Sequence, residues 1–310
     1  MQLTIAFAKP GKTDEQSAVF RYSTMVSADG IQAAKVVTSI IIFQSGICNP
    51  AGRFQIPASQ MRERWAQFYK THQIMAKTFL QAEWRKLAMA NFSVDKNVLD
   101  KYLPYKTELD LWNDTCYVSL VGFLFKDTTI QGLRIPFHTN FEEVNLRFYV
   151  RYNDNGTWKR GVVFIKEIVP KPALTFVANT VYKENYETMP MDHFWTTSND
   201  TLTVEYKWKK KQWNLIKVIA DKTSKQIAND SEEEFITEHY WGYTKITNTK
   251  TSEYGVEHPK WDIYPIKDYQ IDVDFEDIYG QDFSFLKTQK PKSVFLAEGS
   301  QIKVKDGRMI

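Results

Sequence analysis

Phe141-Glu142-Glu143-Val144-Asn145-Leu146-Arg147-Phe148-Tyr149-Val150-Arg151 is the stretch on which the fold turns. Successive side chains of a β-strand point to opposite faces, so Val144, Leu146, Phe148 and Val150 share one apolar side. Asn145, Arg147, Tyr149 and Arg151 share the other, which is rich in hydrogen-bond donors. In a curled antiparallel sheet such a donor face points either outward to water or inward to a lumen that holds something polar or anionic. Only the second arrangement implies a function.

The same style of sequence surrounds it. Strands are expected near Thr107–Trp112, Cys116–Lys126, Glu142–Tyr152, Trp158–Ile168, Thr201–Trp208 and Gln212–Ala220, then at Glu253–Val256, Tyr269–Val273, Val294–Ala297 and Ile302–Val304. Asn113-Asp114 and Asn153-Asp154-Asn155-Gly156 have the chemistry of tight turns joining antiparallel neighbours. Helices are expected at Asp95–Leu103, stopped by Pro104, at Pro172–Tyr182, and at Ser231–His239, where Ser231 and Glu234 form a capping box.

Residues 1–74 read differently. They lack sustained periodicity and scatter Gly11, Gly30, Gly46, Pro50, Gly52 and Pro57 among short apolar fragments, with one short helix expected at Ser59–His72. The expectation is a poorly structured extension over 1–74, upstream of a natural start at Met75, and one domain over 75–310. The 310 residues carry 40 Lys+Arg and 37 Asp+Glu; residues 1–74 hold eight of the former and four of the latter, leaving 32 against 33. A near-neutral body argues against nucleic acid as a partner. Cys48 and Cys116 share no motif spacing, and Val36–Phe43 is too short to span a bilayer, so a cytoplasmic protein without membrane attachment is expected.

Glu83-Trp84-Arg85-Lys86-Leu87, Tyr117–Phe123, Asn140–Arg151, Arg160–Phe164, Tyr182–Tyr186, Glu238–Tyr243 and Ser293–Gly299 resemble the bacterial YqjF-like family, over essentially all of residues 75–310. That family is regarded as related in fold to acetoacetate decarboxylase. The resemblance therefore implies a mainly β, α+β domain: an antiparallel barrel or cone with a few packed helices. The decarboxylase's Schiff-base lysine lies in a Pro-Lys-Lys motif, where the neighbouring ammonium lowers its pKa. Here the nearest counterpart, Pro170-Lys171-Pro172, lacks the second lysine, so that role is not carried over.

Several residues then become candidates. Glu143, Asn145, Arg147 and Tyr149 would line the lumen, with Arg147 clamping a carboxylate; in the alternative arrangement they are a solvent face. Lys166 and Glu167 interrupt an apolar strand, so one of them turns inward unless the strand ends there; Lys166 would be an amine able to capture a carbonyl. Tyr186 and His239 are candidate proton donors, and Tyr182 and Met191 candidate pocket wall. No spacing suggests a metal site, and phosphate-loop, dinucleotide and nucleophile-elbow motifs are missing, so no cofactor is expected. The reading is a domain that binds, or converts in a decarboxylase-like manner, a small organic acid or carbonyl compound; the rival is a non-catalytic interaction module. The expected partner is a small molecule, and self-association as a homo-oligomer is compatible with either reading.

Overall fold

The computed structural model describes residues 4–6, 19–21 and 78–310. By contacts the chain divides into two units, Met1–Thr71 and His72–Ile310. In the first, β1 (Thr4–Ala6) pairs antiparallel with β2 (Val19–Arg21). The helix expected at Ser59–His72 and the boundary at Met75 lie outside the described residues.

The second unit is built of strands β3 (Thr78–Ser93), β4 (Thr107–Leu109), β5 (Tyr117–Ile130), β6 (Phe141–Asp154), β7 (Thr157–Val169), β8 (Tyr186–Thr188), β9 (Met191–Ser198), β10 (Thr201–Lys209), β11 (Trp213–Asp221) and β12 (Lys225–Gln226). These are followed by β13 (Trp241–Thr247), β14 (Lys250–Glu257), β15 (Asp262–Tyr264), β16 (Ile266–Asp272), β17 (Ser293–Lys305) and β18 (Arg308–Met309). Four short α-helices interrupt them: α1 (Lys96–Leu99), α2 (Pro172–Val177), α3 (Glu232–Thr237) and α4 (Phe275–Tyr279). The large sheet runs β12-β15-β17-β3-β5-β6-β7-β13-β14-β18. A second sheet runs β16-β11-β10-β9.

Turn chemistry behaves as expected. Asn113, Asp114, Asn155 and Gly156 all have positive φ, which Asn, Asp and Gly tolerate at hairpin turns. Ser231 accepts from the Glu234 N–H at 3.2 Å, while the Glu234 carboxylate accepts from the Asp230 N–H at 2.6 Å, capping α3 from both sides.

The expected antiparallel barrel or cone needs correction: the sheet is mixed. β13 pairs parallel to β7 through Trp241 with Gly161 and Gly242 with Val162, and β8 also pairs parallel to β7. The reason lies in the connections. The segment between β7 and β13 is long enough for a crossover, and it carries the whole second sheet apart from β16. β17 bonds to β3 along most of its length and to β14 at Val304 and Lys303, so the neighbours β17-β3-β5-β6-β7-β13-β14 return to β17. The two strands expected at Val294–Ala297 and Ile302–Val304 are this one strand, with Gly299 at φ +81° between them.

Two apolar layers follow from strand parity. Val144, Leu146, Phe148 and Val150 of β6 pack with Ala88, Ala90, Val118 and Leu120 against Val204, Tyr206, Trp208, Ile216 and Val218 of the second sheet. At the other face Leu87, Met89, Val121, Phe123, Phe125, Phe141 and Tyr149 gather with Phe235 and Ile236 of α3 and with Trp261. Gly122 lets the two sheets approach: a Cβ there would lie 2.9 Å from the Tyr206 ring.

Candidate functional site

Phe141, Glu143, Asn145 and Arg147 follow one another at two-residue intervals along β6, and all four line a cavity of about 200 Å³. The donor face of this strand thus points inward at these positions. Glu143, Asn145 and Arg147 are all nearly inaccessible to solvent. The inward run ends before Arg151, which is exposed and pairs with Glu108 at 2.6 Å.

β7, the strand bonded beside β6, extends this wall by way of an irregularity. Leu146 pairs with Lys166 but Arg147 pairs with Phe164, leaving Ile165 as an extra residue. Such a bulge breaks the strict alternation of faces. Phe164 and Glu167 line the cavity, whereas Ile165 packs in the opposite apolar layer. Lys166 stands outside the cavity lining: its Nζ donates to the Glu187 carboxylate at 2.6 Å and to the Ile278 carbonyl at 2.5 Å. The inward-turned member of the Lys166-Glu167 pair is therefore the acid.

Buried Glu167 and Glu143 and half-buried Glu184 form an acidic group. Burial pushes the Glu143 carboxyl up to about 7, and the Glu184 carboxyl likewise to about 7. Burial and then repulsion from Glu184 and Glu143 hold Glu167 well above the usual carboxylate range. Glu143 accepts from Asn145 Nδ2 at 3.0 Å and from the Tyr186 hydroxyl at 3.4 Å; Glu184 accepts from Thr244 Oγ1 at 2.7 Å. Glu167 Oε2 and Asn145 Oδ1 have no partner among the described residues. Tyr186 and Tyr254 complete the polar wall, both held protonated well beyond the ordinary phenol range by burial and by the neighbouring carboxylates. Gly242 makes room for Tyr254, since a Cβ at that position would lie 2.1 Å from its ring.

Arg147 is the lone guanidinium on this wall. Its Nη2 lies 3.9 Å from Met89 Sδ, its Nε has no partner, and among the described residues it forms no ion pair. A buried cation without a counter-ion is costly, and an anionic ligand would supply one. Tyr149 sits beside it, the guanidinium 5.8 Å from its ring centre, and its hydroxyl donates to Ser119 Oγ at 2.7 Å, which in turn donates to Asn91 at 2.6 Å.

His239 follows α3 and lines the cavity. Its Nε2 lies 3.1 Å from Asp110 Oδ2, which also accepts from Arg160 Nε at 2.6 Å. Burial opposes ionisation of Asp110, but the bonds from His239 and Arg160 hold its carboxyl below the usual range. The proton of His239 therefore belongs on Nε2, leaving Nδ1 as an acceptor with no partner. Burial, against that bond to Asp110, pushes its pKa down to about 4, so at neutral pH it is the uncharged imidazole.

The remaining candidates scatter. Met191 packs in the outer apolar layer, and the side chain of Tyr182 lies outside the described residues. The residues that sequence reasoning missed are Asp110, Arg160, Glu184 and Tyr254: Asp110 and Glu184 lie in loops, and Arg160 and Tyr254 lie within β7 and β14, where a single polar or aromatic residue carries no signal of its own. Glu167 was signalled, as one of two charged residues interrupting an apolar strand. Among the described residues no group of His, Cys, Asp and Glu could hold a metal ion, and no helix is long and apolar enough to cross a membrane.

The model of the DUF2071 family, described as an uncharacterized conserved protein, matches residues 81–301. YqjF of Bacillus subtilis (strain 168) is 30% identical over 86 residues, 27% of this chain and 34% of that protein, so the match spans about a third of that relative's length. Among solved structures, acetoacetate decarboxylase from Legionella pneumophila aligns with a TM-score of 0.52 at 12% identity, over 92% of this chain and 98% of that one. The enduracididine biosynthesis enzyme MppR aligns with a TM-score of 0.54 at 11% identity, over 74% and 87%. An acetoacetate decarboxylase-like enzyme from Sphingomonas wittichii RW1 aligns with a TM-score of 0.53 at 9% identity, over 75% and 93%. At such identities what is shared is the fold. The YqjF-like resemblance is borne out, and with it a mainly β fold like that of acetoacetate decarboxylase-like proteins; the antiparallel barrel is not, because the sheet is mixed.

Proposed function

The chain belongs to the DUF2071 family, and from that premise we propose that its cavity binds a small organic acid or carbonyl compound and converts it without a cofactor. The observation that carries this reading is Arg147, a buried guanidinium without an ion-pair partner among the described residues, sharing one cavity with carboxyls raised to about 7. A guanidinium fork fits a carboxylate. A carboxyl with a pKa near neutrality exists in both forms at working pH, which suits it to take a proton from a carbon beside a carbonyl and return it. Tyr186 and Tyr254, which keep their protons, can donate hydrogen bonds to the carbonyl oxygen, and His239 Nδ1 can accept one.

The MppR enzyme has been crystallised with pyruvate, which supports a small oxo acid as a ligand for this architecture. An amine-based route has less support. Lys166 is engaged with Glu187 outside the cavity lining, and Lys305, at the cavity edge, is paired with Glu257 at 3.0 Å. Acid–base conversion by Glu143, Glu184 and Glu167 is accordingly favoured over Schiff-base chemistry.

The test is proton NMR of pyruvate in D₂O at neutral pH with the full chain. Catalysed loss of the methyl signal is expected, slowed at least tenfold in Arg147→Gln and in Glu143→Gln. Saturable binding without exchange would reduce the protein to a ligand-binding module. Neither binding nor exchange with any 2-oxo acid would overturn the reading.

A further inference from the structure

Along β6 the cavity wall changes character in one direction. From Arg147 through Asn145 and Glu143 to Phe141 is six residues, or about 20 Å of strand. At the Arg147 end stand His239 and the Tyr149–Ser119–Asn91 hydrogen-bond chain. At the Phe141 end the wall is aromatic. Phe141 stacks on Phe125 at 4.7 Å, Phe125 lies 5.3 Å from Phe123, and Trp84 meets Phe123 at 5.3 Å and Phe125 at 5.9 Å. Trp261 closes the group, 6.3 Å from Trp84 and stacked on His258 at 4.3 Å. All of these rings line the same cavity.

We propose that the ligand is an amphipathic monocarboxylic acid, its carboxylate at Arg147 and an aryl-bearing tail laid against Trp84, Phe123, Phe125 and Phe141. This rests on the acid-binding reading above and narrows it. A three-carbon acid would occupy the Arg147 end alone and leave the aromatic wall unfilled, forfeiting the contacts that give most pockets their affinity. A dicarboxylic acid is disfavoured by charge, because its second carboxylate would meet Glu143, Glu167 and Glu184 with no second unpaired cation beside them among the described residues. A monocarboxylate with an aryl tail satisfies both ends, and a carbonyl between them would pass the acidic group and Tyr186.

The experiment is isothermal titration of the full chain with three probes: pyruvate, 2-oxoglutarate and 4-phenyl-2-oxobutyrate. The phenyl acid is expected to bind at least tenfold more tightly than pyruvate, with 2-oxoglutarate weakest. Arg147→Gln should weaken the phenyl acid at least tenfold. Phe123→Leu should bring it to within about threefold of pyruvate while leaving pyruvate unchanged; Trp84→Leu serves the same purpose if circular dichroism shows the first variant misfolded. Pyruvate bound as tightly as the phenyl acid, and through Arg147, would overturn the tail assignment while leaving acid binding intact. Phenyl acid binding that ignores Arg147→Gln would overturn the head-group assignment. Failure of all three acids to bind would remove both proposals together.

Discussion

From Glu143 to Val150 the two faces of β6 are both buried and opposite in nature. Val144, Leu146, Phe148 and Val150 have no solvent exposure and meet other apolar side chains across the gap to the second sheet. Glu143, Asn145 and Arg147, one residue out of phase, are buried to nearly the same degree, yet line a cavity, and Asn145 Oδ1 and Arg147 Nε have no partner among the described residues. The first face is packed to completion, and its content is stability. The second holds buried charges that cost free energy, which natural sequences keep where a ligand or a reaction uses them.

The contrast breaks most readily on the packed face. Phe148→Ala should cost about 3–5 kcal/mol, because the lost apolar contact and the cavity left behind add together; urea unfolding of the variant measures it. A cost below about 1 kcal/mol would mean that this layer is looser than its burial implies.

On the polar face the expected effect is a dependence on pH. The Glu143 carboxyl is raised in the folded state, so the stability contributed by its proton is complete below the unfolded value near 4.5 and is lost as pH rises towards 7. Relative to Glu143→Gln, the wild type should lose on the order of 2–3 kcal/mol between those limits. Burial gives His239 the opposite sign: its lowered pKa contributes stability above about 6.5 that is lost as pH falls towards 4. The difference between variant and wild type, followed by denaturant melts across pH, isolates the glutamate. A flat difference would show that Glu143 is ionised in the folded protein.

Gly122→Ala tests how closely the packed face is filled. The new methyl would meet the Tyr206 ring, which cannot swing aside because its hydroxyl donates to the Lys86 carbonyl at 2.9 Å and to the Arg85 carbonyl at 3.2 Å. Destabilisation of about 1–3 kcal/mol is expected by thermal melting. The smallest effect belongs to Arg151, on the same side of the strand as Arg147 but exposed: Arg151→Ala should cost below about 1 kcal/mol. A larger loss there would erase the distinction between the buried and solvent-facing parts of the donor face.

Much of the fold was legible because strands announce themselves by alternation. The segments at β5, β6, β7, β10 and β11 and the turns at Asn113 and Asn153–Gly156 fall where the pattern puts them. β9 was missed, because Met191–Ser198 is half-exposed and its apolar contrast is weak. β13 was missed because its pairing with β7 is parallel and long-range, a relation no local pattern records. At the site, Arg147 and Glu143 could be named from parity alone. Lys166 could not be placed that way, since one extra residue at Ile165 reverses the parity on which its inward placement depended.

Alternation of side chains is a property of the extended backbone, so the sequence by itself determined that one side of Phe141–Arg151 would be apolar and the other polar. Whether the polar side met water or a cavity depended on what closed over it, and only the tertiary structure decided that: Glu167, Glu184, Tyr254 and His239 come from four separate segments and converge on Arg147's wall through pairings distant in sequence. The raised carboxyls and the unpartnered guanidinium follow from the same enclosure, because desolvation is set by the neighbours that exclude water and not by the residue itself.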